Sequence, residues 1–232
     1  MNIIWLGHGS FRIEIEDQVV LVDPWLTGNP MLPEDQHKAA ITGATQILVT
    51  HAHFDHIADV VQISKDTGAP LSGMYELAMH LHAQGAVEGA MFNMGGTIAL
   101  GDKVSASMVP ASHSSTAAVD GVQRYMGTES GFILRGEGHC IYISGDTGLM
   151  ADMAWIGDYY KPDIGILSAG GHFTMDMDMA AYATRTYFNF NVVIPCHYRT
   201  MPMLEQSAEA LINGVLPGTS VLEPQVMEAI TL

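Results

Sequence analysis

The sequence predicts an α/β (α+β) protein in which two mixed β-sheets pack face to face, with helices on the outer faces. Short apolar or alternating segments come first and are followed by alternating strand and helix patterns, and this order occurs twice in 232 residues. Sheets with an apolar face must bury it against another layer. No linker or low-complexity tract separates the halves, so we expect one domain over residues 1–232 with internal pseudo-symmetry.

The first half is predicted to begin with strands, because its apolar and polar residues alternate with period two. A turn at Glu16-Asp17-Gln18 separates two of these strands, and the breaker Gly68-Ala69-Pro70 ends a helix. The predicted elements of this half are strands at Asn2–Leu6, Phe11–Ile15, Val19–Val22, Ile47–Val49 and Leu71-Ser72, and helices at Ile57–Ser64 and Tyr75–Gln84.

The second half begins near Gly95-Gly96 and repeats the order of strands followed by alternating elements. Its predicted strands are Thr97–Leu100, Val104–Val109, Gly131–Arg135, Cys140–Ser144, Asp163–Leu167, Val192–Pro195 and a closing strand at Pro224–Leu232. Its predicted helices are Leu149–Tyr159, Met177–Tyr187 and Glu205–Ile212. The segment between Val109 and Gly131 is interpreted as a Ser-rich loop.

Three imidazoles and a carboxylate lie within the segment Thr50–His56, between a predicted strand and a predicted helix. In an extended turn His51 and His53 point to the same side, and Asp55 and His56 lie about one helical step further. Zinc and similar metals favour nitrogen and carboxylate ligands. A packing role does not explain the pattern, because Phe54 is its only large apolar side chain. The spacing therefore predicts two adjacent metal ions.

Three further candidate ligands also follow predicted strands. His113 follows Val104–Val109, Asp146 follows the strand that ends at Ser144, and His197 follows the strand that ends at Pro195. A single histidine after a strand is more often structural. Three such residues together with the segment at position fifty supply about the number of donors that a dinuclear site needs.

The composition and net charge of the chain limit the classes of molecule that it can bind. Nine basic residues against twenty-five acidic ones give a formal net charge of −16, which disfavours nucleic acid as a partner. No segment reaches the ~18 apolar residues of a membrane span, and no secretory signal is visible. Cys140 and Cys196 lie in apolar strands and are interpreted as buried hydrophobes of a reducing compartment. We expect a cytoplasmic protein, and the composition permits a homo-oligomer.

The order of these motifs resembles the metallo-β-lactamase fold superfamily over nearly the whole chain. The resemblance rests on HxHxDH at positions 51–56, a distant histidine, the string Ser144-Gly145-Asp146-Thr147-Gly148, and a late histidine. More narrowly, the strings at 5–10, 23–25, 170–175 and 195–198 resemble small metal-dependent hydrolases that include lactonases acting on ascorbate 6-phosphate. The resemblance implies a four-layer αββα sandwich with the metals at one edge.

The resemblance also implies a ligand set and a cofactor. The implied ligands are His51, His53 and His113 for the first ion, Asp55, His56 and His197 for the second, and Asp146 as the bridge between them. Two divalent metal ions are expected. Zinc is the expected metal, and manganese or iron are alternatives because they share this ligand set.

Five other residues are candidates for supporting roles. Asp23 ends a strand and is predicted either to hold the free N–H of a ligating histidine or to be a turn residue. His172 follows two glycines and is predicted as a catalytic residue together with Asp55, the alternative being a helix cap. His8 is a weaker candidate for a supporting or pocket role. Arg199 and Arg124 are candidates for binding a carboxylate or phosphate of the substrate, and for Arg124 a solvated surface position is at least as strongly favoured.

The leading hypothesis is a hydrolase that uses a metal-activated hydroxide on a small molecule: a lactone, ester, amide or phosphoester. Within the same fold, the alternatives are an oxidoreductase with iron and a nuclease. The complete ligand set disfavours the first, and the acidic charge disfavours the second. From a different class, the alternative is a metal-binding protein without hydrolytic activity.

Overall fold

The computed structural model describes all residues from 1 to 232 and contains sixteen strands. In chain order they are β1 Asn2–Gly7, β2 Ser10–Ile15, β3 Gln18–Val22, β4 Gln46–Val49, β5 Leu71–Met74, β6 Glu88–Phe92, β7 Thr97–Ala99, β8 Ser105–Pro110, β9 Thr116–Val119, β10 Val122–Tyr125, β11 Ser130–Gly136, β12 His139–Ile143, β13 Ile164–Ser168, β14 Val192–Cys196, β15 Ser220–Val221 and β16 Ala229–Thr231.

Fourteen of these strands form two seven-stranded sheets. The first has the order β16-β1-β2-β3-β4-β5-β6, and the second has the order β15-β14-β13-β12-β11-β8-β7. Strands β9 and β10 form a separate hairpin. Each sheet contains both parallel and antiparallel pairs, so the predicted fold class of two mixed sheets is confirmed.

Seven helices accompany the sheets. They are α1 His37–Ile41, preceded by a 3₁₀ turn at Glu34–Gln36, then α2 Phe54–Ile57, α3 Val60–Thr67, α4 Tyr75–Ala83, α5 Met153–Tyr160, α6 Met177–Tyr187 and α7 Glu209–Gly214. Helix α6 begins where the Asp176 carboxylate accepts the Met179 backbone N–H, which is a standard N-cap. No helix of the chain is sufficiently long and apolar to span a bilayer.

The burial pattern explains why these segments form strands. Strand β2 alternates, with Phe11, Ile13 and Ile15 buried and the residues between them partly exposed. Strand β13 is buried along its whole length, as expected for a parallel strand covered on both faces. A cluster of 55 buried apolar residues contains side chains of both sheets. Cys140 and Cys196 are buried and unpaired, as expected.

Strand direction brings the candidate site together at one edge. Strands β3 and β4 are parallel, as are β12, β13 and β14. Strand β8 runs in the direction of β12, because both are antiparallel to β11. At this edge the Ser130 N–H donates to Thr50 O (3.0 Å), and the His197 N–H donates to His8 O (2.9 Å). These two bonds join the sheets where the carboxyl ends of their strands meet.

Several element bounds differ from the sequence predictions because tertiary contacts override local pattern. The helix predicted at Ile57–Ser64 is two helices, with the break beside Asp59, whose carboxylate accepts the backbone N–H groups of Leu26 and Thr27. The helix predicted from Glu205 begins at Glu209, because the Glu205 N–H donates to Gly170 O of a neighbouring loop.

Other predicted elements were too long, and some elements of the structure were not predicted. The helix predicted from Leu149 begins at Met153, and the closing strand contracts to Ala229–Thr231. The sequence pattern missed α1, β6, β15 and the β9–β10 hairpin. Strand β6 is partly exposed and lacks a clear alternation, and residues of β10 are exposed throughout, so neither has the apolar pattern by which strands are recognised.

Candidate metal centre

Three imidazoles, hereafter the imidazole group, converge at the end of β4. They are His51, His53 and His113. His53 Nδ1 lies 3.0 Å from His51 Nε2 and 3.2 Å from His113 Nε2. His53 has extended backbone dihedrals (φ −69°, ψ 151°) just before α2, which directs His51 and His53 to one side. Burial lowers the pKa of all three imidazoles, so they are neutral at pH 7 and their lone pairs are free for a cation.

A second set of four residues, hereafter the carboxylate group, lies beside the first. It contains Asp55 and His56 of α2, Asp146 after β12 and His197 after β14. Asp146 Oδ2 is 3.0 Å from His197 Nε2 and 3.4 Å from His56 Nε2. Asp55 Oδ2 is 3.6 Å from His56 Nε2 and 3.7 Å from His197 Nε2. Candidate donor atoms of this group lie within 4.8 Å of one another.

One carboxylate oxygen lies between the two groups. Asp146 Oδ2 approaches His51 Nε2 at 3.9 Å and His113 Nε2 at 3.7 Å, in addition to its two neighbours in the carboxylate group. It therefore faces four imidazole nitrogens contributed by both sheets. This is the geometry expected of a carboxylate shared by two adjacent cations.

In the carboxylate group, neighbouring negative charges raise the pKa of the histidines, whereas burial lowers the pKa of the histidines in the imidazole group. Burial alone would lower the pKa of His197, but Asp146 and Asp55 beside it raise that pKa to about 9. Asp146 and Asp23 likewise overcome burial and raise the pKa of His56 well above its usual value. Burial would raise the pKa of Asp146, but His197 and His56 hold it well below its usual range.

Asp23 is linked to a histidine of each group, directly to His56 and through Thr50 to His51. Its Oδ2 lies 2.8 Å from His56 Nδ1 and accepts a hydrogen bond from Thr50 Oγ1 at 2.6 Å. Thr50 Oγ1 in turn lies 3.0 Å from His51 Nδ1. These contacts hold the Nδ1 proton of both imidazoles, which leaves Nε2 free in neutral His51 and frees it in His56 once its second proton is lost. Sequence reasoning missed Thr50, although its position directly before His51 was a signal.

His8 contacts the carboxylate group from the turn between β1 and β2. Its Nε2 lies 2.8 Å from Asp55 Oδ2, and its Nδ1 lies 2.9 Å from Thr200 Oγ1. The ring lies 3.7 Å from the His197 ring, centroid to centroid. Burial lowers the pKa of His8 to about 4, so the ring is neutral and can donate one proton to Asp55. Thr200 is a second supporting residue that the sequence analysis missed.

The remaining candidates lie outside the two groups. His172 is exposed, and its ring packs against Phe173. The Arg199 guanidinium donates to Pro224 O (2.9 Å) and lies over the rings of Trp5 and Tyr198. These contacts tie Arg199 to the fold, and none of them is with the metal centre. Arg124 is exposed on β10.

Two glycines permit the close approach of backbone to the candidate ligands. A Cβ at Gly9 would lie 2.8 Å from His56 Cε1, and a Cβ at Gly170 would clash with His197 O. Both positions border the carboxylate group, where a side chain would displace an imidazole. The glycines therefore help to set the positions of His56 and His197.

The donor set fits divalent cations. Nε2 of His56 is buried and has no hydrogen-bond partner, and an unpartnered buried polar atom is unfavourable. Imidazole nitrogens and carboxylate oxygens are the ligands that zinc accepts, with water or substrate completing a catalytic site. A cation among these atoms would satisfy the free nitrogen, and the imidazole nitrogens that approach one another at 3.0 and 3.2 Å would serve as its donors.

Comparison with known proteins identifies the family. A profile of the β-lactamase superfamily domain matches residues 18–209. The chain is 61% identical to a UPF0173 metal-dependent hydrolase of Ruegeria pomeroyi and 62% identical to one of Roseobacter denitrificans, each over 230 residues and 99% of both chains. The chain belongs to the metallo-β-lactamase superfamily.

A solved structure supports the same assignment. The metallo hydrolase Igni18 of Ignicoccus hospitalis superposes with a TM-score of 0.82 at 30% identity, covering 100% of this chain and 98% of that one. The relatives that match this chain over its full length are metal-dependent hydrolases. The protein, a member of the metallo-β-lactamase superfamily, is therefore a metal-dependent hydrolase. The predictions of superfamily and of enzyme class are therefore confirmed.

Proposed function

We propose that the protein holds two divalent cations, with zinc expected, and hydrolyses a small-molecule lactone, ester, amide or phosphoester. The observation that carries the proposal is the position of Asp146 Oδ2, which faces imidazoles of both groups at 3.0 to 3.9 Å. His51, His53 and His113 hold one cation and Asp55, His56 and His197 hold the other, with Asp146 shared. When bound, such cations lower the pKa of water and polarise the bond to be cleaved.

The chain's own residues orient the ligands and move protons. Asp23 and Thr50 hold the Nδ1 protons of His56 and His51, so each Nε2 faces the centre. Asp55 faces the centre and His8, and it accepts the proton of the attacking water and passes it to the leaving group. His172, on the glycine-containing loop beside His197, is the second candidate donor, and its exposed position suits contact with substrate.

The reaction balances with water alone. For an ester or lactone, the water oxygen bonds to the carbonyl carbon and the bond from that carbon to the alcohol oxygen breaks. One water proton is transferred to the alcohol oxygen, so the products are a carboxylic acid and an alcohol. No oxidant or reductant takes part, which separates this proposal from an iron oxidoreductase of the same fold.

Metal analysis combined with an activity screen tests the proposal. Purified protein is stripped with chelator, reloaded separately with zinc, manganese or iron, and analysed by mass spectrometry for metal per chain. Each form is then assayed with lactones, esters, amides and phosphoesters. We expect two equivalents of metal and hydrolysis of at least one class. One equivalent of iron, or no hydrolysis of any class by a doubly loaded protein, would contradict it.

A further inference from the structure

Five segments at the carboxyl-terminal edge of the sheets surround the candidate metal centre, and together they are called the rim: residues 50–56, 112–130 (which contains the β9–β10 hairpin), 144–152, 169–176 and 197–206. Backbone hydrogen bonds join neighbouring segments. These bonds are Ser130 N to Thr50 O (3.0 Å), Gly148 N to Ser112 O (2.9 Å), Met175 N to Thr147 O (3.0 Å) and Glu205 N to Gly170 O (2.9 Å). The bond from His197 N to His8 O, and the contact of His8 with Asp55, close the ring.

Every segment of the rim presents at least one large apolar side chain to solvent. These side chains are Phe54, Val122, Tyr125, Leu149, Phe173 and Met203, and they are between 38% and 67% exposed. A single exposed apolar residue needs no explanation, but a set carried by the same segments as the candidate ligands offers apolar surface to a substrate bound at the centre.

Chain connectivity keeps at least three of these side chains close to the ligands. Phe54 lies between His53 and Asp55 in the chain. Leu149 follows Asp146 by three residues, a span of at most about 11 Å. Phe173 follows Gly170 by three residues, and Gly170 lies against the His197 backbone.

The rim offers little to an anionic substrate. Its five segments contain only two cationic side chains, Arg124 and Arg199. The guanidinium of Arg199 is held by Pro224 O and by two aromatic rings, which leaves Arg124 as the one exposed cation. The chain as a whole carries a formal net charge of −16, which repels anions at long range.

We propose that the rim selects neutral carboxylic esters or lactones that carry an alkyl or aryl group of several carbons, and discriminates against phosphorylated or carboxylated ones. The apolar group lies on the rim side chains while the carbonyl faces the metal centre. This inference rests on the proposed dinuclear hydrolase, and it specifies the class of substrate for that centre. Each additional methylene that is buried strengthens binding, so substrate chain length should change KM.

The experiment compares matched substrates on the metal-loaded protein. The lactone pair is γ-butyrolactone and γ-nonalactone, followed by pH-stat. The ester set is 4-nitrophenyl acetate, 4-nitrophenyl hexanoate and the 4-nitrophenyl monoester of adipic acid, which has six acyl carbons and a terminal carboxylate. We expect kcat/KM to rise at least tenfold from the short to the long neutral member, mainly through KM. We expect the adipate monoester to be at least tenfold poorer than the hexanoate.

Variants locate the effect on the rim. Phe54→Ala and Phe173→Ala should each reduce the long-to-short ratio of kcat/KM by about fivefold, while the metal content stays at the wild-type value. Tyr159→Ala is the matched control, because Tyr159 is an aromatic side chain on α5 that is 75% exposed and lies outside the rim. The control should keep the wild-type ratio.

The outcomes separate this inference from the proposal on which it rests. Absence of hydrolysis of every class would defeat the proposed function itself. Hydrolysis of phosphoesters or amides, with none of lactones and esters, would overturn the inference alone. An equal kcat/KM for the long and short neutral substrates would also overturn it. So would a higher kcat/KM for the adipate monoester than for the hexanoate, if Arg124→Ala abolished that preference.

Discussion

The imidazole group and the carboxylate group adjoin each other in the metal centre, yet their protonation differs. In the imidazole group, burial keeps three imidazoles neutral. In the carboxylate group, Asp146 and Asp55 raise the pKa of His197 to about 9, so without metal the histidine carries a proton at neutral pH. Under the proposed function, a cation would therefore enter the first group without displacing protons, whereas in the second it would have to replace protons that neutralise the carboxylates.

If the centre holds two ions, as proposed, this difference makes their binding unequal. The neutral group depends on nitrogen donors alone, and two of its members, His53 and His113, are only partly buried. The carboxylate group has the greater negative charge, and Asp55, His56, Asp146 and His197 are all buried. We expect the two groups to respond differently to substitution and to pH, and four experiments test this contrast.

The largest effect is expected from Asp146→Asn, because Asp146 is the contact shared by both groups. Hydrolysis should fall by about a thousandfold or more, and metal content should fall below two equivalents per chain, measured by mass spectrometry. The exposed Asp178→Asn on α6 is the matched control. Near-normal turnover of Asp146→Asn with full metal loading would show that the two groups do not share this residue.

A comparison of His53→Ala with His197→Ala separates the groups directly. Each variant should lose most activity and about one equivalent of metal, but from different sites. Titration of zinc into chelator-treated protein in a weak buffer reports the protons released. Because His197 is protonated in the metal-free protein, its replacement should remove about one released proton, while His53→Ala should not. Equal proton release from both variants would contradict the assigned protonation.

A smaller effect is expected from the residues that orient the ligands. Asp23→Asn should weaken zinc affinity by about 10–100-fold, the usual range for partners of ligating histidines. Thr50→Val should weaken it less, because only His51 loses its contact while Asp23 keeps its contact with His56. Competition with a chromophoric chelator measures both affinities. An equal loss in the two variants would mean that Asp23 acts on His51 alone.

The smallest effect concerns the metal-free protein. A histidine whose pKa is raised on folding adds stability that is present below about pH 6.5 and is lost as pH rises through the folded-state value. For His197 that window runs from about 6.5 to about 9. The free energy of unfolding in chelator should fall by roughly 1 kcal/mol or more over this range, and His197→Gln should flatten the slope in urea titrations. A slope unchanged in His197→Gln would exclude His197 as its source.

The local pattern of apolar and polar residues was sufficient to predict much of the architecture. Alternation in β2 and uninterrupted apolar runs such as β13 reflect burial on one or two faces, and burial periodicity can be recognised without knowledge of contacts. Helix α6 begins and ends where expected, at Met177 and Tyr187, because its N-cap is also local. Where the structure differs from the prediction, as at Glu205, a hydrogen bond to a loop distant in sequence has replaced the local preference for helix.

Patterns within the chain were enough to predict the two mixed sheets, the histidine-rich segment at position fifty and the candidate ligands after strands. The partners of these side chains come from packing between distant segments: His8 contacts residues 47 and 192 positions away, and Arg199 is held by aromatic rings and Pro224. The physical reason is that periodicity and turn chemistry act over a few residues. Contacts between the two sheets depend instead on how whole layers pack, which no short segment specifies.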